Sequence, residues 1–161
     1  MSPIDDRLAA LGIALPPPPQ PPPGFAFPFS WVRVRGSRVF LSGHGAQAID
    51  GSPQGPFGKV PSTVSLDQAQ ASARAAVVSM VASLQRELGD LDRIAAWLMV
   101  FGHVNADPGF EQTTLVLNPA SQLLLDIFGP EVGSHARTAL GQAALPVDLP
   151  VIIAAEIELH H

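Results

Sequence analysis

At 161 residues with no break in composition, the chain is expected to bury one core, as a single domain over 1–161 with a helix and proline-rich strap over 1–23 and the core over 24–161. It is 47% hydrophobic, 14% charged and carries a net charge of −5 with only nine Lys and Arg, which argues against nucleic acid as a partner and leaves apolar surface to face another subunit. Zero cysteines exclude disulfides and thiolate chemistry, and the lack of a secretory pattern or an apolar run of ~20 residues points to a cytoplasmic protein with no membrane span.

Ser2 is placed to cap a first helix with Pro3 at its first position and Asp5 and Asp6 in its first turn, ending near Gly12. Pro16 to Pro23, interrupted only by Gln20, fixes φ and removes backbone donors, so it runs as an extended polyproline strap; a ligand for a proline-binding domain is the rival reading. Trp31 to Arg35 alternates apolar and charged residues, and Arg38 to Ser42 follows across Gly36-Ser37, which reads as a β-hairpin. Gly43 to Ser62 has no period and reads as a long loop.

Ser65 with Gln68 forms a capping box, and Leu66, Ala69, Ala73, Val77, Met80, Val81, Leu84 and Leu88 keep one helical face before Gly89. Arg93 to Val104 reads as a central strand. A second helix is expected in Phe110 to Phe128 with Leu115, Leu123, Leu124 and Ile127 inward, a break or fresh start at Asn118-Pro119, and an end at Gly129-Pro130. Two strands, about Ala136 to Leu145 and Val151 to Leu159, complete a β-β-α-β-α-β-β order after the leading helix, which makes one sheet with two helices on one face, an α+β fold.

Phosphate-binding glycine loops, His-Glu-x-x-His and Gly-x-Ser-x-Gly are absent. Ser134 to Gly141 is distinctive because Arg137 opens a strand between small residues, where its planar fork can hold a carboxylate by two parallel hydrogen bonds. Pairing with an acid across the sheet is the structural alternative for that arginine. His135 fits a hydrogen bond to backbone better than catalysis, and His44, His103 and His135 lack the spacing of metal ligands, so no metal or cofactor is expected. Trp31, Arg33, Arg35 and Arg38 could stack on single-stranded RNA, although alternating arginines also suit the solvated face of a strand. His160-His161 is assigned no role.

The order of Leu11-Gly12-Ile13-x-Leu15-Pro16, Leu41-Ser42-Gly43, Gly58-Lys59-Val60, Leu88-Gly89-Asp90-Leu91, Val104-Asn105, Asn118-Pro119-Ala120-Ser121 and His135-Ala136-Arg137 with Leu145-Pro146 resembles the RidA/YjgF family, also known as L-PSP endoribonuclease-like, in its longer branch with an N-terminal helix. The resemblance implies a chorismate mutase-like fold with one mixed β-sheet, a homotrimer with clefts between subunits, and deamination of 2-imino or enamino acids to 2-oxo acids and ammonia. It further implies that Arg137, in the catalytic cleft, anchors the ligand carboxylate and that Asn118, Ser42 and Phe29 line the same cleft.

Three positions depart from the family pattern: the tyrosine falls at Phe29, the glutamine after Ser-Gly at His44, and the water-orienting glutamate at Ile152. Glu156 or Glu158 would reach that place only if Pro150 introduced a bulge. A lost water-positioning group typically costs about 10²-fold in rate. Two readings follow: an imine hydrolase, and a non-catalytic trimer that binds small carboxylates. An endoribonuclease ranks below both.

Overall fold

The structure is a computed structural model covering Met1–His161. Ser2 accepts from the Asp5 amide while the Asp5 carboxylate accepts from the Ser2 amide, and this reciprocal cap starts α1 (Pro3–Ala10), whose Ile4 and Leu8 are buried. β1 (Val32–Arg35) and β2 (Arg38–His44) form the expected hairpin. α2 (Leu66–Leu88) begins at the Ser65/Gln68 capping box and stops at Gly89, φ 75°. β3 (Ile94–Asn105), α3 (Thr113–Val132), β4 (Ala136–Gln142) and β5 (Val151–Leu159) follow.

The sheet order is β1-β2-β5-β3-β4, with β4 parallel to β3 and every other pairing antiparallel. The mixed sheet carries α2 and α3 on one face. One cluster of buried side chains fills the space between them and reaches from Ile4 to Leu159. Along β5 every second residue is buried, so Ile152, Ala154, Glu156 and Glu158 lie on the opposite, open face. No helix is long and apolar enough to cross a membrane.

α3 differs from expectation. Asn118-Pro119 does not break it, because Gln70 Nε2 on α2 donates to the Leu115 carbonyl (2.8 Å), the acceptor that a proline four residues later cannot serve. Leu115 is correspondingly 43% exposed, and Val116 and Leu117 take the inward positions assigned to it. At Gly129, φ 84° and ψ 169°, the regular helix ends as expected; Arg7 Nη1 of α1 donates to the Ile127 carbonyl just before it (3.1 Å), and a separate short turn beyond the kink runs to Val132. β4 stops at Gln142, three residues short of the expected Leu145, because Leu145 leads into a 3-10 turn at Pro146–Asp148.

The polyproline segment packs as a strap. The Gln20 amide donates to the Gly51 carbonyl (3.0 Å) and Arg86 Nη1 donates to the Pro16 carbonyl (3.0 Å). A Cβ on Gly51 would stand 2.4 Å from the Pro18 carbonyl oxygen, so only glycine admits this approach.

Candidate functional site

Two clusters of polar side chains repeat one arrangement. On β4, Arg137 stands beside Val100 of β3 on the helix face and reaches α3, where Nη1 donates to Ser121 Oγ (2.9 Å) and Nη2 to Asn118 Oδ1 (3.1 Å). The Ser121 hydroxyl donates in turn to His135 Nε2 (2.9 Å), and His135 Nδ1 donates to the Gly133 carbonyl (2.7 Å). These bonds leave the His135 ring no free nitrogen. Asn118 and Ser121 lie three residues apart, which sets them on one helical face.

Arg137 is half-buried, and burial lowers its pKa while leaving it cationic. The ion pair of the chain joins Arg38 to Glu156 (3.2 Å), so the expected alternative of an acid partner for Arg137 does not hold. Two neutral oxygens engage two of the five guanidinium N–H groups, and three remain. The Asn118 amide accepts through Oδ1, so its NH₂ is directed away from Arg137 and free to donate.

The second cluster starts from a bulge. Between Leu41 and His44 the β2–β5 register shifts by one residue, so Ser42 and Gly43 both oppose Ala154. The bulge lies on β2 rather than at Pro150, and no glutamate moves toward Ile152: Glu156 stays opposite Phe40, ion-paired to Arg38. Gly43 is required here because a Cβ would fall 2.7 Å from Ile152 Cγ2.

The shift turns His44 inward to 2% exposure. His44 Nδ1 donates to the Ser42 carbonyl (2.6 Å), and Nε2 accepts from Ser83 Oγ of α2 (2.8 Å), which itself accepts from Arg86 Nη2 (3.0 Å). Burial, partly countered by the bond to the Ser42 carbonyl and reinforced by Arg86, lowers the His44 pKa from 6.5 to about 4. The imidazole is therefore neutral near pH 7, with both nitrogens committed.

Ser42 directs its hydroxyl proton to the Ser30 carbonyl (2.7 Å). Phe29 is 50% exposed and packs with Phe27 and Trp31, and Trp31 also meets His44, all at centroid separations of 5.0–5.6 Å. These rings line a cavity of about 300 Å³ between the strap, the bulge and the Pro146–Asp148 turn, and Ile152 and Leu149 form its apolar floor. Neither this cavity nor the adjoining one of about 450 Å³ beside Arg33 and Arg86 includes Arg137. Phe29 and Ile152 thus line one cavity, Arg137 and Asn118 are hydrogen-bonded elsewhere, and the two pairs stand apart, with β5 and β3 between β2 and β4. His103 takes a third set of contacts, with Gln142 (3.1 Å).

The turn at the cavity mouth holds two non-glycine residues in the left-handed region, Val147 (φ 50°) and Asp148 (φ 59°). For a β-branched residue that conformation is costly, on the order of 1–3 kcal/mol, and persists only where surroundings enforce it. Here Asn105 Nδ2 donates to Asp148 Oδ1 (2.9 Å), Lys59 Nζ donates to Asn105 Oδ1 (3.0 Å) and to the Ala143 carbonyl, and the Gly58 amide donates to the Asp148 carbonyl (2.8 Å). Sequence reasoning assigned no role to Ser121, Ser83, Arg86 or this clamp. The Asn118–Ser121 spacing was the available signal for the first; the others form between segments distant along the chain.

No family model matches the chain. Among curated proteins, Protein TCP17 of Trypanosoma cruzi is 39% identical over 104 residues, 65% of this chain and 65% of that protein, so the match spans just under two thirds of each. Among solved structures, the protein Atu1372, of unknown function, from Agrobacterium tumefaciens is 30% identical over 97% of this chain and 91% of its own, with a TM-score of 0.84. A candidate endoribonuclease from Shewanella oneidensis is 26% identical over 97% of this chain and 99% of its own, with a TM-score of 0.82.

Proposed function

Since the chain belongs to the RidA/YjgF family, we propose that it binds small carboxylates of the 2-oxo and 2-imino acid class at a site completed by a neighbouring copy of the same chain. The observation that carries this reading is the Arg137 guanidinium: half-buried, without a carboxylate partner, held by Ser121 and Asn118, and keeping three N–H donors. A fork so placed suits bidentate capture of a carboxylate, with the Asn118 NH₂ as an adjacent donor.

The need for a second copy follows from topology. The bulge on β2 is three strand spacings from β4, ~14 Å at ~4.8 Å each, and Ile152 on β5 is two spacings away, ~10 Å, and on the open face while Arg137 is on the helix face, so a four-carbon acid held by Arg137 cannot also touch Phe29 or Ile152 of its own chain. A trimer that sets the β4 edge of one copy against the bulge of the next would unite them. Exposed Phe40 and Leu140, together with Ile152 on the open face, give that face the apolar character a covering subunit requires.

The cavity walls favour binding over turnover. Ile152 offers no proton acceptor, Glu156 is engaged by Arg38, and His44 has no free nitrogen. Ribonuclease chemistry gains no support from the hairpin, where Arg38 is shared between Glu156 and the Phe40 ring.

Calorimetric titration with 2-oxobutanoate, alongside ammonia release from freshly generated 2-iminobutanoate, tests the proposal. The expected result is saturable binding that weakens by about 30-fold or more in Arg137→Ala, in line with ~2–3 kcal/mol for charge-assisted bonds, with ammonia released at the buffer rate. Acceleration by the wild type that vanishes in Arg137→Ala would instead establish the hydrolase reading, and binding unaffected by the substitution would refute the role of Arg137.

A further inference from the structure

From the cavity beneath the strap we infer a preference for one substrate class: 2-oxo or 2-imino acids bearing an aromatic side chain, whose ring packs in the cavity against the cluster of Phe27, Phe29 and Trp31. The inference rests on the carboxylate-binding reading above and concerns the other end of the ligand.

Three observations carry it. The first is size and composition. The cavity is about 300 Å³ and no Lys, Arg, Asp or Glu lines it; a cavity of ~150 Å³ already holds a benzene ring. Among its polar side chains, Gln47 Nε2 donates to the Pro17 and Gly51 carbonyls (3.4 and 3.2 Å) and His44 is bonded at both nitrogens, while Gln47 Oε1 is buried without a partner. An acid ending in a methyl or ethyl group would leave most of this wall wet, whereas a phenyl ring would cover it.

The second is the geometry of the rings. Phe27–Trp31 and Phe29–Trp31 meet edge to face at 5.0 Å, with interplanar angles of 80° and 72°. Phe29 is half exposed despite these contacts and lines both this cavity and its neighbour. A further ring can join such a cluster with offset or edge-to-face contact.

The third is the turn that closes the mouth. Val147 lines the cavity in a left-handed conformation enforced by the clamp of Asn105, Lys59 and Asp148. The hydrogen bonds hold the next residue, Asp148, and through it keep Val147 strained against the cavity, a state that persists only where the surroundings enforce it.

The test is calorimetric titration of the full-length protein with 3-phenyl-2-oxopropanoate and 2-oxobutanoate in parallel, on wild type, Trp31→Ala, Phe27→Leu and Arg137→Ala. The phenyl acid is expected to bind about 10- to 100-fold tighter, the range for burying one ring, and in Trp31→Ala the ratio of the two affinities should fall toward one. Phe27→Leu, a milder change at a partly exposed position, should remove part of the advantage, which keeps the test decisive if Trp31→Ala unfolds. Equal affinity for the two acids, or an advantage retained in both ring variants, overturns the aromatic preference while leaving the Arg137 reading intact. Tight phenyl-acid binding that Arg137→Ala does not weaken fails the carboxylate reading and overturns the inference with it, marking a simple hydrophobic pocket.

Discussion

Acid should destabilise this protein through one histidine before its carboxylates respond. His44 is buried and neutral, with its pKa lowered from 6.5 to about 4, chiefly by burial. Below pH 6.5 the unfolded chain takes up a proton there that the folded chain refuses, so stability falls with pH until the folded pKa is reached. At 1.36 kcal/mol per pH unit, the interval from 6.5 to about 4 corresponds to roughly 3 kcal/mol, a large share of the ~5–15 kcal/mol typical of a domain. Asp50 and Asp107, whose pKa values are lowered by hydrogen bonds from Ser52 and Ser62, lose their contribution only as pH falls below the ordinary carboxylate value of 3.8, so the two effects occupy different windows. Urea denaturation at half-unit steps from pH 7 to 4 measures the slope. His44→Gln keeps an amide able to bond Ser42 and Ser83 but cannot titrate, and should flatten the curve between pH 6.5 and 4.5. An equal slope in wild type and His44→Gln would refute the assignment.

Val147→Gly should stabilise the chain by about 1 kcal/mol, the difference between a left-handed strain of ~2 kcal/mol and a glycine entropy cost of ~1 kcal/mol; an unchanged urea midpoint would mean that the turn is relaxed. Gly51→Ala should force the strap away from the Pro18 contact and uncover the half-buried Phe27 to chymotrypsin, with cleavage there markedly faster than in wild type. Ser121→Ala should weaken 2-oxobutanoate binding by about 5- to 10-fold, the worth of one hydrogen bond that holds Arg137, while the urea midpoint moves little; a stability loss with unchanged affinity would make Ser121 structural only.

Much of the fold is written locally. Capping pairs at Ser2/Asp5 and Ser65/Gln68, the period-two hairpin and the apolar run into β3 depend on neighbours in the chain, and each forms where the sequence indicates. Features decided by distant partners were not legible. Pro119 sits inside a helix because Gln70, on another helix, takes over the orphaned carbonyl of Leu115. His44 turns inward because a bulge opposite Ala154 inverts its side, and Ile152 makes glycine the residue that fits at Gly43. Asn105, Lys59 and Asp148 converge from three segments to hold a strained turn that no local pattern announces. At the site, Arg137 and Asn118 were readable as a pair, but their separation from Phe29 and Ile152 emerges only from the strand order.

That separation makes subunit mixing the most direct test of the central claim. Arg137→Ala removes the anchor, and Phe29→Asp places a repelling charge at the rim of the cavity, so neither variant alone should bind 2-oxobutanoate detectably. If each site takes Arg137 from one copy and Phe29 from the next, unfolding and refolding the two variants together in equal amounts should restore about a quarter of the wild-type sites by random assembly. Recovery near that fraction is the predicted result. No recovery in a mixture shown by native mass spectrometry to hold mixed oligomers would contradict the shared site.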